Sequence, residues 1–464
     1  MKKLILLSII IFCMEAYPQN IASGYYHGIS ICADSSVQAW GNNSRGQLGN
    51  ENISGNSNVA VSVSNLTDIV KIDGGFWYSM ALKNDGTVWT WGSNETGTLG
   101  NGTKENRNIA AQVSGISNVK NIAAGAHHVL VLKNDNTVWT WGANNYGQLG
   151  TGDNTQSLDP VQITGFENVV AIAAGDDHSL AVKSDGTVWA WGLNDQGELG
   201  TGSTTPSTSY EPVQVANLTD VIAVAGGGYK FSLALKEDGT VWAWGYNQWG
   251  QLGNGTNTPS SVPVEVSNLS GITSIAVHGG QGHAMALRND GTVWCWGYNL
   301  FGQLGNGTNA DSNVPVQVSG LTDVVAISCG HGYSMARKND GTVWGWGDNQ
   351  HGQLGIGVFA GTYYSPVQMT SVCSIPNSTV ETNGKNSFSI YPNPTSGKFR
   401  LELKEFNPLK NPAMEIFNST GTLIKNTSIA GSTIEVDIST YPKGLYFIKI
   451  TDGKRVHTKR IIKE

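Results

Sequence analysis

A Trp-Gly-x-Asn motif recurs seven times in this chain, at Trp40, Trp91, Trp141, Trp191, Trp244, Trp296 and Trp346, with spacings of 50 to 53 residues. Self-similarity at that period has to be read before any local motif, because a unit of this size cannot bury its own apolar face and must stack on a copy of itself. One unit, from Pro160 to Gly200, reads PVQITGFENVVAIAAGDDHSLAVKSDGTVWAWGLNDQGELG. Its runs VVAIAAG, HSLAVK and TVWAWG are short, β-branched or aromatic, and bounded by glycine and polar residues, which predicts strands, and PVQI predicts a fourth ahead of them. The Asp-Gly pairs before TVWAWG predict tight hairpins whose positive φ angles they supply. Four-stranded units repeated radially predict an all-β fold, a seven-bladed β-propeller.

The ends of the array bear on how such a fold would close. The first copy begins at IASG, with no PVQV before it, whereas the last runs on to SPVQM, Ser365 to Met369. The expectation is that this far strand completes the first blade, so that N- and C-terminal strands close the ring and remove its free edges. Composition agrees with many short strands and tight turns: 59 glycines, 15 tryptophans and only 14% charged residues.

The pattern G-x-x-H-S-x-A-L, followed by D-G-x-V-x-x-W-G-x-N-x-x-G-Q-L-G, resembles the regulator-of-chromosome-condensation repeat. It covers roughly residues 20–374, and the resemblance implies a seven-bladed propeller. Within it, His27, His128, His178 and His283 share a position that holds Tyr78, Phe231 and Tyr333 in the other copies. Interchange of His, Tyr and Phe predicts packing or hydrogen bonding there, not metal ligation. Asn43, Asn94, Asn144, Asn194, Asn247, Asn299 and Asn349 fill every copy of W-G-x-N, which predicts amides organising a loop through backbone bonds.

A polar linker, residues 375–387, separates the propeller region (19–374) from a second block, 388–464, where five alternating runs in under ninety residues predict a small β-sandwich. This block resembles the C-terminal sorting domain of type IX secretion, through Tyr391 to Gly397, Gly444 to Lys449 and the basic end Lys459 to Lys463. The resemblance implies the secretion machinery as a partner. Residues 1–18, with Lys2, Lys3 and an apolar run from Leu4 to Phe12, read as a signal peptide too short to span a membrane. The expected location is therefore secreted or at the outer cell surface.

Between Ala16 and Lys385, 14 Lys and Arg face 27 Asp and Glu, whereas Asn386 to Glu464 carries 12 against 7. An acidic body disfavours nucleic acid as a partner. Cys32, Cys295, Cys329 and Cys373 contain no C-x-x-C pair, so one or two disulfides and buried free thiols both stay open. The sequence has no H-E-x-x-H, G-x-S-x-G or Walker loop, and neither a cofactor nor a metal is expected. Asp176 and Asp177 are weighed as a calcium or acid-base pair, with His351 as a further acid-base candidate, and the two aspartates are read as a solvated turn.

The variable letters gather in the G-x-x-H and W-G-x-N-x-x-G loops, which the strand order places on one face. There the chain sets Tyr25, Tyr26, Phe76, Trp77 and Tyr229 in the first loop, and Tyr146, Tyr246, Trp249, Tyr298 and Phe301 in the second, with Arg45 and His351 among them. A ring of aromatics around a propeller mouth has the composition of an interface hot spot or a sugar-stacking platform. The expected function is a non-enzymatic module that recognises a protein partner through this face. The family resemblance implies an inhibitory version of that recognition among the outcomes. A carbohydrate-binding or glycan-processing surface protein is the alternative, and guanine-nucleotide exchange, implied by the family's eukaryotic namesake, a more distant one.

Overall fold

The computed structural model describes residues 20–32, 34–52, 55–278, 280, 282–370, 372–373, 388–392, 395–403, 413–418, 423–429, 431–442, 444–452 and 455–463. The signal segment and the linker expected from the sequence lie outside these residues. The division between two compact units falls after Cys373.

Among the described residues of the first unit, every regular element is a strand, and the strands form seven antiparallel four-stranded sheets. Sheets one to seven cover 21–62, 69–112, 119–162, 169–214, 221–265, 272–317 and 324–368. In each, spatial order follows chain order; sheet two, for example, is Ile69–Gly74, Tyr78–Lys83, Val88–Gly92 and Arg107–Gln112.

The repeated letters are the contacts between sheets. All seven Trp-Gly tryptophans are fully buried, and each indole Nε1–H donates to a backbone carbonyl of the preceding sheet at 2.8–2.9 Å. Burying one such ring contributes on the order of 3 kcal/mol, which makes these the principal anchors of sheet on sheet. The glycine that follows has no alternative. Gly92 has φ +104°, and a Cβ on it would lie 2.5 Å from the Trp77 carbonyl oxygen. The Asn slot does what its constancy predicted: each Oδ1 accepts from the leucine N–H five residues on, at 2.9–3.2 Å.

Strand grouping corrects one expectation. Thr362–Gln368, which holds most of SPVQM, pairs with Val343–Asp348 inside sheet seven, and sheet one is completed by Ser57–Ser62. The PVQV-type run therefore ends a sheet, because the asparagine-organised loop folds the chain back onto the edge that it has just left. Among the described residues no strand is exchanged between the ends. Sheet seven instead packs on sheet one through bonds seen at other junctions: Trp40 Nε1 donates to Gln353 O, and Gly357 N to Asn58 O at 2.8 Å. A disulfide, Cys32–Cys373, adds a covalent link, while Cys295 and Cys329 are free and buried.

The hairpins differ in detail as well. Only the last residue of each tight loop has positive φ, from Ser35 at 62° to Gly341 at 86°. The aspartate before it accepts a 2.6 Å bond from the hydroxyl two residues on. A three-residue loop needs one left-handed residue, not two.

The second unit has a three-stranded sheet, Phe388–Tyr391, Lys398–Leu403 and Thr433–Asp437, and a four-stranded one, in spatial order Leu423–Ser428, Ala413–Asn418, Gly444–Asp452 and Arg455–Lys463. Phe399, Leu401, Met414, Ile416, Ile448 and Ile450 form one core shared by the sheets, a small β-sandwich.

Candidate functional site

Antiparallel pairing puts the first-to-second and third-to-fourth connections of every sheet on the same face. The first connections approach one another at the centre of that face: Tyr25 N donates to Gly75 O, Phe76 N to Ala126 O and His331 N to Tyr25 O, at 3.0–3.2 Å. Two side chains cross between distant sheets. The Tyr25 hydroxyl of sheet one donates to Asp176 Oδ1 of sheet four, and His278 Nε2–H of sheet six donates to Gly74 O of sheet two at 2.6 Å.

These crossings correct two expectations. Tyr25 is only 6% exposed, so it plugs the centre and does not belong to the exposed aromatic face. Asp176 is no solvated turn. Burial pushes its carboxyl up to about 7, with Asp177 adding to the rise while the Tyr25 hydroxyl opposes it. Asp73, whose Oδ2 accepts from Ala124 N at 2.8 Å, is likewise held at about 7 by burial. Burial lowers His278 to about 4, so it is neutral.

Eight of the ten expected aromatics fall into two groups around this plug. Tyr26, Phe76 and Trp77 form the first, with Phe76 and Trp77 centroids 4.0 Å apart. His331 and His351 flank Tyr26 at 4.8 and 5.0 Å, and the Arg45 guanidinium stands 5.5 Å over Trp77. A cavity of about 30 Å³ beside Trp77, bordered by Thr98 and His127, has room for one water. The second group is centred on Trp249, which meets Tyr229, Tyr246 and Tyr298 at 4.6, 5.4 and 5.0 Å, with Phe301 at 6.5 Å from Tyr298. Tyr146, 39% exposed, belongs to neither group and has no ring contact among those described.

The arc between the two groups is acidic. Lys230 pairs with Asp195 at 2.6 Å, near Asp177 and Glu198. Asp176, Asp177 and His351 have separate partners, Tyr25, Gln148 and Tyr26 respectively, and among the described residues no three His, Cys, Asp or Glu are grouped to hold a metal.

The His, Tyr or Phe slot lies beneath the face and is fully buried. Ser79 Oγ donates to Gln47 O, so His27 Nε2–H is the donor in its 2.8 Å bond to Ser79, and the same relay recurs at His128, His178 and His283. Where the slot holds tyrosine, Tyr78 OH reaches two carbonyls of the next sheet instead. This is the packing and hydrogen-bonding role expected from the interchange.

One set of residues was missed in the sequence. The glutamine of G-Q-L-G is buried in every sheet that has it. Its Oε1 accepts the N–H two residues back, and in sheets one, three and seven its Nε2 donates to Asn42, Asp177 and Asp348. Among the described residues, Gln251 Nε2 and Gln303 Nε2 in sheets five and six have no partner, and in sheet four Glu198 takes the slot with its Oε1 unpartnered. Burial pushes the Glu198 carboxyl up to about 7. The signal was legible, since GELG departs from GQLG in a slot that is otherwise almost constant.

Comparison with known proteins places this geometry. The RCC1-like domain model matches residues 14–231, the regulator of chromosome condensation (RCC1) repeat model matches 238–287, 290–337 and 340–378, and the secretion system C-terminal sorting domain model matches 389–464. The sorting domain marks the chain for export through the type IX system to the cell surface or beyond.

Among curated proteins, the mitochondrial RCC1 domain-containing protein RUG3 of Arabidopsis thaliana is 34% identical over 112 residues, 24% of this chain and 25% of that protein. The ultraviolet-B receptor UVR8 of the same plant is 36% identical over 91 residues, 20% of this chain and 21% of that one. The aligned stretch thus spans about a quarter or less of these relatives. Among solved structures, yeast RCC1 (Prp20), bound to Kap60, has a TM-score of 0.66 at 22% identity, covering 77% of this chain and 87% of that one. Human WBSCR16 has a TM-score of 0.63 at 26% identity, covering 72% and 94%. The chain is a protein of RCC1 repeats that carries a secretion system C-terminal sorting domain.

Proposed function

We propose that this protein is an exported, non-enzymatic binding module that grips a protein partner on its aromatic face. The observation that carries the reading is the collection of Tyr26, Phe76, Trp77, Tyr229, Tyr246, Trp249, Tyr298 and Phe301 into two groups around a plugged centre. Tyr146 stands alone between them in sheet three, as an outlying contact.

Large rings placed by short, bonded loops lose little conformational freedom on docking, which is how aromatic anchors come to dominate interfaces. The plug and the water-sized cavity leave a surface to be covered, not a pocket to be filled. Solved relatives with this architecture include one bound to a protein.

The test is capture of secreted or host proteins by the mature chain, beside a variant with Trp77, Tyr146, Trp249 and Phe301 changed to alanine. Capture lost in the variant, with both folded by circular dichroism, supports the reading; equal capture refutes it.

A further inference from the structure

The loops that carry Tyr246, Trp249, Tyr298 and Phe301 of the second aromatic group also carry buried polar side chains, and Trp249 N and Phe301 N each donate to one of them. Glu198, Gln251 and Gln303 fill the G-Q-L-G slot of sheets four, five and six, each 0% exposed, and among the described residues Glu198 Oε1, Gln251 Nε2 and Gln303 Nε2 have no partner. An unmet buried donor costs roughly 1–3 kcal/mol, so two adjacent amides in that state are a cost that the chain's own packing does not require.

The reason they are unmet can be read from their neighbours. Where the glutamine amide is satisfied, the acceptor comes from the residue after Trp-Gly (Asn42, Asp348) or from the first loop of the next sheet (Asp177). In sheets five and six the first of these positions holds Tyr246 and Tyr298, and the second holds Gly282 and Gly332. Tyrosine presents a ring and glycine presents nothing. A Cβ built on Gly282 would lie 3.0 Å from the Trp249 ring and 3.2 Å from Gln251 Nε2, and one on Gly332 would lie 3.1 Å from the Phe301 ring. The missing side chains would thus have lain against the aromatic group and, at Gly282, against the amide itself.

We propose that the arc of sheets four to six is a subsite for a neutral saccharide, with a pyranose ring stacked in the Trp249 group and its oxygens accepting from Gln251 Nε2 and Gln303 Nε2. The inference rests on the reading that the aromatic face binds ligands, and it assigns a class of ligand to one arc of that face. The chemistry selects against the other classes. Two N–H donors need oxygen acceptors, which disfavours a cation despite the aromatic box. The nearby carboxylates of Asp177 and Asp195, opposed by Lys230, disfavour an anion. A pyranose offers an apolar C–H face to the rings and a rim of oxygens to the amides. Both amides are buried and the Trp249 and Phe301 rings lie beside Gly282 and Gly332, so binding requires these rings to move aside.

The test is a titration of the mature protein against neutral gluco-, xylo-, manno- and N-acetylglucosamine hexasaccharides, with high-mannose protein glycans as a separate arm to tell polysaccharide from glycoprotein. It is repeated, at a pH well above the value of about 7 that burial gives Glu198 in this slot, with Gln251→Glu plus Gln303→Glu, which keeps the oxygen that accepts from Trp249 N and Phe301 N and, once ionised, replaces each donor by an acceptor. Sheet four already folds with glutamate in that slot. Gly282→Asn is the second variant: φ +63° at this position suits asparagine, whose oxygen would satisfy Gln251 from within.

Binding of at least one neutral series by the wild type, weakened at least tenfold in either folded variant, is the expected result. No neutral saccharide bound at millimolar concentration, or affinities within twofold in both variants, would overturn the proposal. Protein capture is followed on the same samples. Capture without saccharide binding removes this inference and leaves the protein reading. Saccharide binding that depends on the glutamines, with capture unaffected by the alanine variant of Trp77, Tyr146, Trp249 and Phe301, does the reverse.

Discussion

Tyr25 in sheet one donates its hydroxyl proton to Asp176 in sheet four, joining two connections 151 residues apart in sequence. The bond stabilises the carboxylate, whereas burial, the larger effect, favours the acid and holds the group at about 7. Tyr25→Phe should therefore cost more at pH 8, where Asp176 is charged, than at pH 5, with a loss of about 1–3 kcal/mol at the higher pH. Urea unfolding at the two pH values measures it, and an equal loss at both would mean that the pair does not share this proton.

Stability should also have a slope set by the three raised carboxyls, Asp73, Asp176 and Glu198, each at about 7. A carboxyl with a raised folded pKa contributes stability that is present below its unfolded value near 4 and lost as pH rises through 7. The expected outcome is that Asp176→Asn flattens the decline in melting temperature between pH 5 and 8. A variant curve parallel to the wild type over that range would contradict it.

The buried histidines act in the opposite sense. His27, His128 and His283 are lowered to about 3 and His178 to about 4, by burial first. Their contribution is present above the unfolded pKa near 6.5 and lost as pH falls from there towards 4. His283→Tyr, which copies Tyr78 and Tyr333, should shift the acid unfolding midpoint to lower pH. Circular dichroism against pH reads the shift; no movement would show that the neutral imidazole is not what limits acid stability.

With no strand exchanged between the ends among the described residues, the junction of sheets seven and one depends on packing and on Cys32–Cys373. Cys32→Ser with Cys373→Ser should cost about 2–4 kcal/mol, mainly by releasing the unfolded chain, and reduction of the wild type should reproduce the loss. Unchanged melting under both treatments would assign the junction to packing alone.

The scaffold was legible because it repeats. Tryptophan, glycine and asparagine return at fixed slots, and each makes the same bond in every sheet, so one unit could be read for seven. The grouping of strands was not legible, since the PVQV run stands closer along the chain to the strand after it than to its partner before it: Ser157–Gln162 is nearer Val169–Ala174 than Val138–Gly142. What decides is the amide of Asn144 and its counterparts, which folds the loop back. Tyr25 and Asp176 were misplaced for another reason. Nothing local distinguishes Tyr25 from Tyr26, and their separation into plug and surface is set by a partner in another sheet. The unbonded amides of Gln251 and Gln303 need the side chains of two neighbouring positions to be known at once.

Under the proposed function, the face bearing Tyr229 and Trp249, not the hairpin face of Asp185 and Asp340, meets the partner. A photoreactive residue placed at position 229 or 146, and in a parallel sample at position 185 or 340, measures this directly with the captured protein. Crosslinks from 229 and 146 alone are the predicted result. Crosslinks from 185 or 340, with none from the aromatic face, would contradict it.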